Sequence, residues 1–178
     1  MAAVVAGAVA VGIIALSSGR GGSGAAGSTA SVSVAPATGI VRSGDVAPVF
    51  TGTATDGSPI DLASMRGKVV LISFFASWCS NCREDLPRVQ AAATAHAGRG
   101  LVVLPVSYLE TADARAFLSS LGIALPSLID VDNRIGQTYG VSSLPVTVWV
   151  GRDGKVAAVV HGQLTQQLLD AELEALAV

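Results

Sequence analysis

Val69-Val70-Leu71-Ile72-Ser73-Phe74-Phe75-Ala76-Ser77-Trp78-Cys79-Ser80-Asn81-Cys82-Arg83 is the stretch whose reading decides this chain. An apolar run rich in β-branched and aromatic residues leads into two cysteines separated by two residues. A helix-like segment leads out from Arg83. Cys79 and Cys82 are the only cysteines in 178 residues, so one small intramolecular ring is possible and no multi-disulfide scaffold is. A strand that delivers a CxxC pair to a helix N-terminus favours thiol chemistry. The thiolate is the nucleophile, and the unpaired N–H groups and dipole of the first turn stabilise negative charge. Cys79, at the start of the helix, is therefore expected to attack. Cys82, one turn deeper on the same face, is expected to resolve. Trp78 is expected to shield the sulfurs and offer an apolar docking surface. Ser80 and Asn81 carry no charge and do not strongly stabilise a thiolate, which argues against a strong oxidant.

Other uses of a CxxC pair fit less well. A zinc site needs two further ligands, and nothing in their spacing pairs His96 with His161. A c-type haem attachment needs His after the second Cys, where Arg83 stands. Neither a metal nor a cofactor is expected. A purely structural disulfide stays open as an alternative.

Hydrophobic residues make up 51% of the chain, and the net charge of −2 gives no signature of nucleic-acid binding. Met1 to Leu16 contains no charged side chain. As a helix it spans roughly 24 Å, short of a hydrocarbon core of about 30 Å, and Ser17 to Gly19 nearly close the gap. Residues 1–19 are read as an apolar membrane anchor or signal segment. No Lys or Arg precedes the run, and Arg20 follows it. Residues 20–39, rich in Gly, Ser and Ala, are read as a flexible linker, and residues 40–178 as one folded domain.

Within that domain, Val49 to Ala54 and Pro59 to Leu62 form a hairpin around Asp56-Gly57, followed by a helical turn that Gly67 stops. Lys68 to Phe75 reads as a central strand buried on both faces. Helix is expected from Cys79 to about Ala97, strand from Leu101 to Tyr108, and helix from Thr111 to Leu121. A short helix at Asn133 to Tyr139 precedes a hairpin of Val146 to Val150 with Val156 to His161. The last helix, Thr165 to Ala177, carries Leu164, Leu168, Leu169 and Leu176 on one side. The order β-α-β-α, then a hairpin, then α gives an α/β fold with a mixed sheet between helices. Trp149 is read as core or sheet surface, His161 as structural, His96 as exposed, and Arg83, Glu84 and Asp85 as a solvated helix face.

With Phe74-Phe75-Ala76-Ser77-Trp78-Cys79-Ser80-Asn81-Cys82-Arg83-Glu84-Asp85-Leu86-Pro87, the chain resembles the thioredoxin superfamily, in particular its extracytoplasmic TlpA/ResA/DsbE branch. The resemblance covers Val46 to His161. Pro87, five residues after Cys82, matches a proline of the family's active-site helix. Val141-Ser142-Ser143-Leu144-Pro145-Val146 matches the loop carrying the family's cis-proline. The resemblance thus implies a cis Leu144-Pro145 bond against the disulfide, with Leu144 and Pro145 contacting substrate. Val106 to Thr111 matches the insert that distinguishes the branch, and Glu110 the glutamate that lies near the cysteines. The implied architecture is a thioredoxin-like fold: a central mixed β-sheet flanked by helices, with an N-terminal β-hairpin extension and a central insert. A peroxiredoxin is the nearest rival, but its site needs Thr and Pro ahead of the cysteine, and Ala76, Ser77 and Trp78 supply neither.

Ser73 stands where thioredoxins hold a buried Asp six residues before the first Cys, and it cannot take a proton. Exchange needs a group that accepts and returns the proton of the buried thiol. Glu110 is the candidate base, weighed against simple placement at a helix N-terminus.

The resulting expectation is a bacterial extracytoplasmic thiol–disulfide oxidoreductase, tethered to the cell membrane or secreted, and monomeric. Family resemblance implies reduction of client proteins with disulfides or thiols, apocytochrome c before haem attachment among them, using electrons from a membrane thiol carrier. The alternatives are an oxidase that installs disulfides in secreted proteins and a redox-inert peptide-binding module.

Overall fold

A computed structural model describes residues 32–34, 39–110 and 112–178. The apolar run of residues 1–19 and residues 20–31 of the linker lie outside the described residues. Among the described residues, no helix is long and apolar enough to cross a membrane.

Three short antiparallel strands come first: β1 (Ser33–Val34), β2 (Phe50–Thr53) and β3 (Pro59–Asp61). β2 and β3 form the expected hairpin, paired at Thr51↔Asp61 and Thr53↔Pro59. Gly57, at φ 87°, supplies the left-handed turn that its Asp-Gly pair predicts. β1 departs from expectation. Ser33 and Val34, read as tether, pair with Thr51 and Phe50.

The main sheet has four strands in the order β5-β4-β6-β7: β4 (Val69–Phe75), β5 (Leu101–Ser107), β6 (Val146–Val150) and β7 (Val156–His161). β4 runs parallel to β5 and antiparallel to β6, so the sheet is mixed. All seven residues of β4 are buried. Such a strand, covered on both faces, reads as a continuous apolar run instead of an alternating one. Val69, Leu71 and Phe75 enter one core with Cys79, Cys82, Trp149 and Leu169; Val70, Ile72 and Phe74 enter another with Phe50, Tyr139 and Val148.

Four helices complete the domain: α1 (Ser80–His96), α2 (Ala112–Ser120), α3 (Arg134–Thr138) and α4 (Gln166–Ala175). α4 departs in detail from its expected face. Leu169 and Leu173 are buried while Leu168 is 41% exposed, because positions four apart share a side and adjacent ones do not. The hairpin extension docks on the second core through Tyr139. Its ring meets Phe50 and Phe74 at 6.1 and 5.8 Å, and its hydroxyl donates to the Pro48 carbonyl at 2.8 Å.

Candidate active site

Cys79 and Cys82 are joined by a disulfide with Cα atoms 5.3 Å apart. They sit where β4 ends and α1 begins. The Cys79 N–H donates to the Ala76 carbonyl at 3.1 Å and closes the turn between the two elements. Cys79 is itself the N-cap of α1. Its backbone is extended, and its Sγ accepts from the Cys82 N–H at 3.2 Å. A sulfur thus takes one of the orphan donors of the first helical turn. Cys79 is 7% exposed and Cys82 1%, so the first cysteine is the more accessible. Trp78, beside it, is 66% exposed. Pro87 lies inside α1, as its place after Cys82 predicts.

The loop after β5 is stitched to this turn. The Tyr108 N–H donates to the Phe75 carbonyl at 2.8 Å. Glu110 is buried, and both of its carboxylate oxygens accept from Ser77: Oε2 from the backbone N–H at 2.8 Å and Oε1 from the hydroxyl at 2.6 Å. The sequence reading set Glu110 either near the cysteines or at the start of the next helix. The structure brings its carboxylate to the residue two before Cys79. Leu109, between these ties, has φ 56° and is 57% exposed.

On the other side, the Leu144-Pro145 peptide is cis. Pro145 is buried and immediately precedes β6, whose first residue Val146 pairs with Phe74. This register puts Pro145 at the same end of the sheet as the cysteines. Leu144 is half-buried and packs against the core that contains both cysteines. Arg83 lies over the Phe117 ring at 4.9 Å, and Phe117 stacks on Phe75 at 6.2 Å, so α2 closes over the junction.

Two findings modify the sequence reading. Asp85 is 2% exposed, not part of a solvated helix face. Its Oδ2 accepts from the Leu164 N–H and its Oδ1 from the Arg88 guanidinium, both at 3.0 Å, tying α1 to the segment before α4. Burial pushes its carboxyl above the usual carboxylate range, against the opposing pull of the Leu164 N–H and Arg88. His96, read as exposed, is half-buried, and its Nδ1 lies buried with no partner among the described residues. Ser73 is buried, as its central-strand position requires, and pairs with Thr147 of β6. The Thr147 hydroxyl and the Trp149 indole N–H are buried without partners among the described residues. A further buried carboxylate, Asp130, went unnoticed in sequence. It accepts from the Arg134 and Gly136 N–H groups at the start of α3, and burial raises its pKa.

Comparison with known proteins agrees with this geometry. The sequence pattern of the AhpC/TSA family matches residues 43–159. The thiol-disulfide oxidoreductase ResA of Bacillus subtilis is 30% identical over 130 residues, which cover 72% of this chain and 73% of that protein. The fold is similar to that of a thiol:disulfide interchange protein of the thioredoxin family from Chlorobium tepidum. That match has a TM-score of 0.67 at 25% identity and covers 81% of this chain and all of the other. It is also similar to a secreted Mycobacterium tuberculosis disulfide oxidoreductase homologous to E. coli DsbE. There the TM-score is 0.63 at 25% identity, over 71% of this chain and 96% of the other.

Proposed function

Because the chain belongs to the AhpC/TSA family of thioredoxin-like proteins, and within it to the ResA- and DsbE-like thiol-disulfide oxidoreductases, we propose that it works as a reductase of client disulfides outside the cytoplasm. In the reduced protein the Cys79 thiolate attacks one sulfur of a client disulfide. The client S–S bond breaks, a mixed disulfide forms on Cys79, and one client thiolate leaves and takes up a proton. The Cys82 thiolate then attacks Cys79 Sγ, closes the Cys79–Cys82 disulfide and expels the second client thiolate. The client gains two electrons and the protein loses two. A membrane thiol carrier restores the dithiol.

One observation supports this direction over an oxidase. The carboxylate of Glu110 is bonded to Ser77, two residues before Cys79, while Ser80 and Asn81 are neutral. A strong oxidant needs a stabilised thiolate, and a neighbouring anion opposes one. Trp78, the half-buried Leu144 and the backbone ahead of the buried Pro145 are proposed as the surface on which a client chain would lie. Glu110 is proposed as the group that moves the proton of the buried thiol. Residues 1–19 are proposed to anchor the domain to the membrane or direct its export, and residues 20–32 to connect them to β1. Apocytochrome c before haem attachment is a client that suits such a reductase.

The reduction potential of the Cys79–Cys82 couple tests the direction. A value well below the redox poise of the compartment is expected. One near the strong-oxidant end of the thioredoxin range, about −120 mV, overturns the reductase reading in favour of disulfide formation.

A further inference from the structure

Leu109 stands out in two independent ways. Its backbone lies in the left-handed region at φ 56°, which disfavours any residue with a Cβ and is usually left to Gly or Asn. Its side chain is also 57% exposed, so packing in the free protein returns little for that conformation. A strained residue persists when its surroundings over-determine it, and here they do. The Tyr108 N–H is bonded to the Phe75 carbonyl, and the Glu110 carboxylate is bonded twice to Ser77. The residues on either side of Leu109 are therefore fastened to the segment that runs through Trp78 into Cys79. Trp78 is itself 66% exposed. The fold holds two large apolar side chains out to solvent on two segments tied together beside the reactive sulfur.

From this we infer that Leu109 determines client specificity: it and Trp78 take an apolar side chain adjacent to the client cysteine. The occupant is the client segment whose sulfur meets Cys79, since Trp78 directly precedes Cys79 and the residues flanking Leu109 are bonded to Phe75 and Ser77 just ahead of it. The inference rests on the reading that protein clients dock over Cys79. Glu110 has a corresponding second role, because its bonds to Ser77 fix where Leu109 stands.

The test uses the full-length chain and two peptides, one with Leu and Phe beside its cysteines and one with Ser and Gly. Both are assayed as disulfides for reduction and as dithiols for oxidation, with dithiothreitol exchange as a control. Leu109→Asn and Leu109→Gly both suit the left-handed backbone, so both variants are expected to melt at or above the wild-type temperature. For the apolar peptide KM is expected to rise about ten-fold, the equivalent of about 1.4 kcal/mol. The kcat, the polar peptide and the dithiothreitol rate stay unchanged. An unchanged KM for the apolar peptide overturns the inference. So does an equal change for both peptides together with dithiothreitol, which marks a structural role. Exchange in the oxidising direction alone sinks the reductase reading instead, and the KM comparison still judges Leu109.

Discussion

Glu110 holds Ser77 by both of that residue's donors, its Oε2 at 2.8 Å from the backbone N–H and its Oε1 at 2.6 Å from the hydroxyl. The bonds span 33 positions of sequence and join the loop after β5 to the turn that presents Cys79. Hydrogen bonds to a charged acceptor contribute about 1.5–3 kcal/mol each, more than neutral ones. Glu110→Ala, which leaves both donors without this acceptor, is expected to lower stability by about 3 kcal/mol. Glu110→Gln keeps an acceptor for the N–H and is expected to cost about half of that. Its effect on chemistry is the sharper readout: disulfide exchange should slow and its pH–rate profile should move. Superimposable profiles for Glu110→Gln and wild type would leave Glu110 a purely structural tie.

Cys82→Ser removes the thiol proposed to resolve and leaves Cys79 with nothing to displace a client. A long-lived mixed disulfide on Cys79 is expected, visible as a mass increase that dithiothreitol reverses. Cys79→Ser should trap nothing, because Cys82 is 1% exposed. Trapping through Cys82 would reverse the assigned roles.

Asp85 gives the stability of the fold a pH dependence of defined sign. Its carboxyl lies above the ordinary value of 3.8, chiefly because burial penalises the ionised form. The folded state therefore binds the proton more tightly than the unfolded chain. Stability from this group is fully present below pH 3.8 and declines as pH rises through the raised folded value. Asp85→Asn keeps an acceptor for the Leu164 N–H and removes the titration. Denaturant unfolding from pH 3 to 7 should show wild type losing ground relative to Asp85→Asn as pH rises. A difference that stays constant across the range would contradict this. Asp130 is shifted in the same direction by burial and contributes with the same sign in both proteins.

Thr147 buries a hydroxyl with no partner among the described residues. Thr147→Val replaces it with a methyl group of nearly the same shape and removes the desolvation penalty. A gain of about 1 kcal/mol is expected, read as a raised denaturation midpoint with unchanged slope. A loss of stability would mean that the hydroxyl has a partner in solution.

Much of the fold was legible because its strongest signals are local. The apolar run Val69 to Phe75 announced a strand buried on both faces, and Cys79 followed by the α1 pattern announced the junction. Asp85 was missed because its neighbours Arg83 and Glu84 are charged and exposed. Its spacing shows the burial: Cys82, Asp85, Leu86 and Val89 fall on one helix face at intervals of three, four and seven, and all four are buried. The alternation of Val32 and Val34 with serine was a strand signal, but it was too short to stand out from a Ser-rich linker. The Ser77 partner of Glu110 had no signal at all, since a contact across 33 residues is made by topology alone. The positive φ of Leu109 was equally invisible, because nothing in a leucine announces it.

The mounting of the disulfide also divides labour between the two partners of exchange. The cysteines hang from the end of β4, whose seven residues are all buried and which has a neighbouring strand on each side. Opening β4 itself means breaking the middle of the sheet, an excursion close in cost to global unfolding, so the base of the site stays fixed. Adaptation at the encounter thus falls to the client. An extended or still-unfolded chain meets a rigid partner and reacts at once. In the proposed reductase cycle, a client with a buried disulfide reacts only as often as it opens, so its own breathing sets the pace of the reaction.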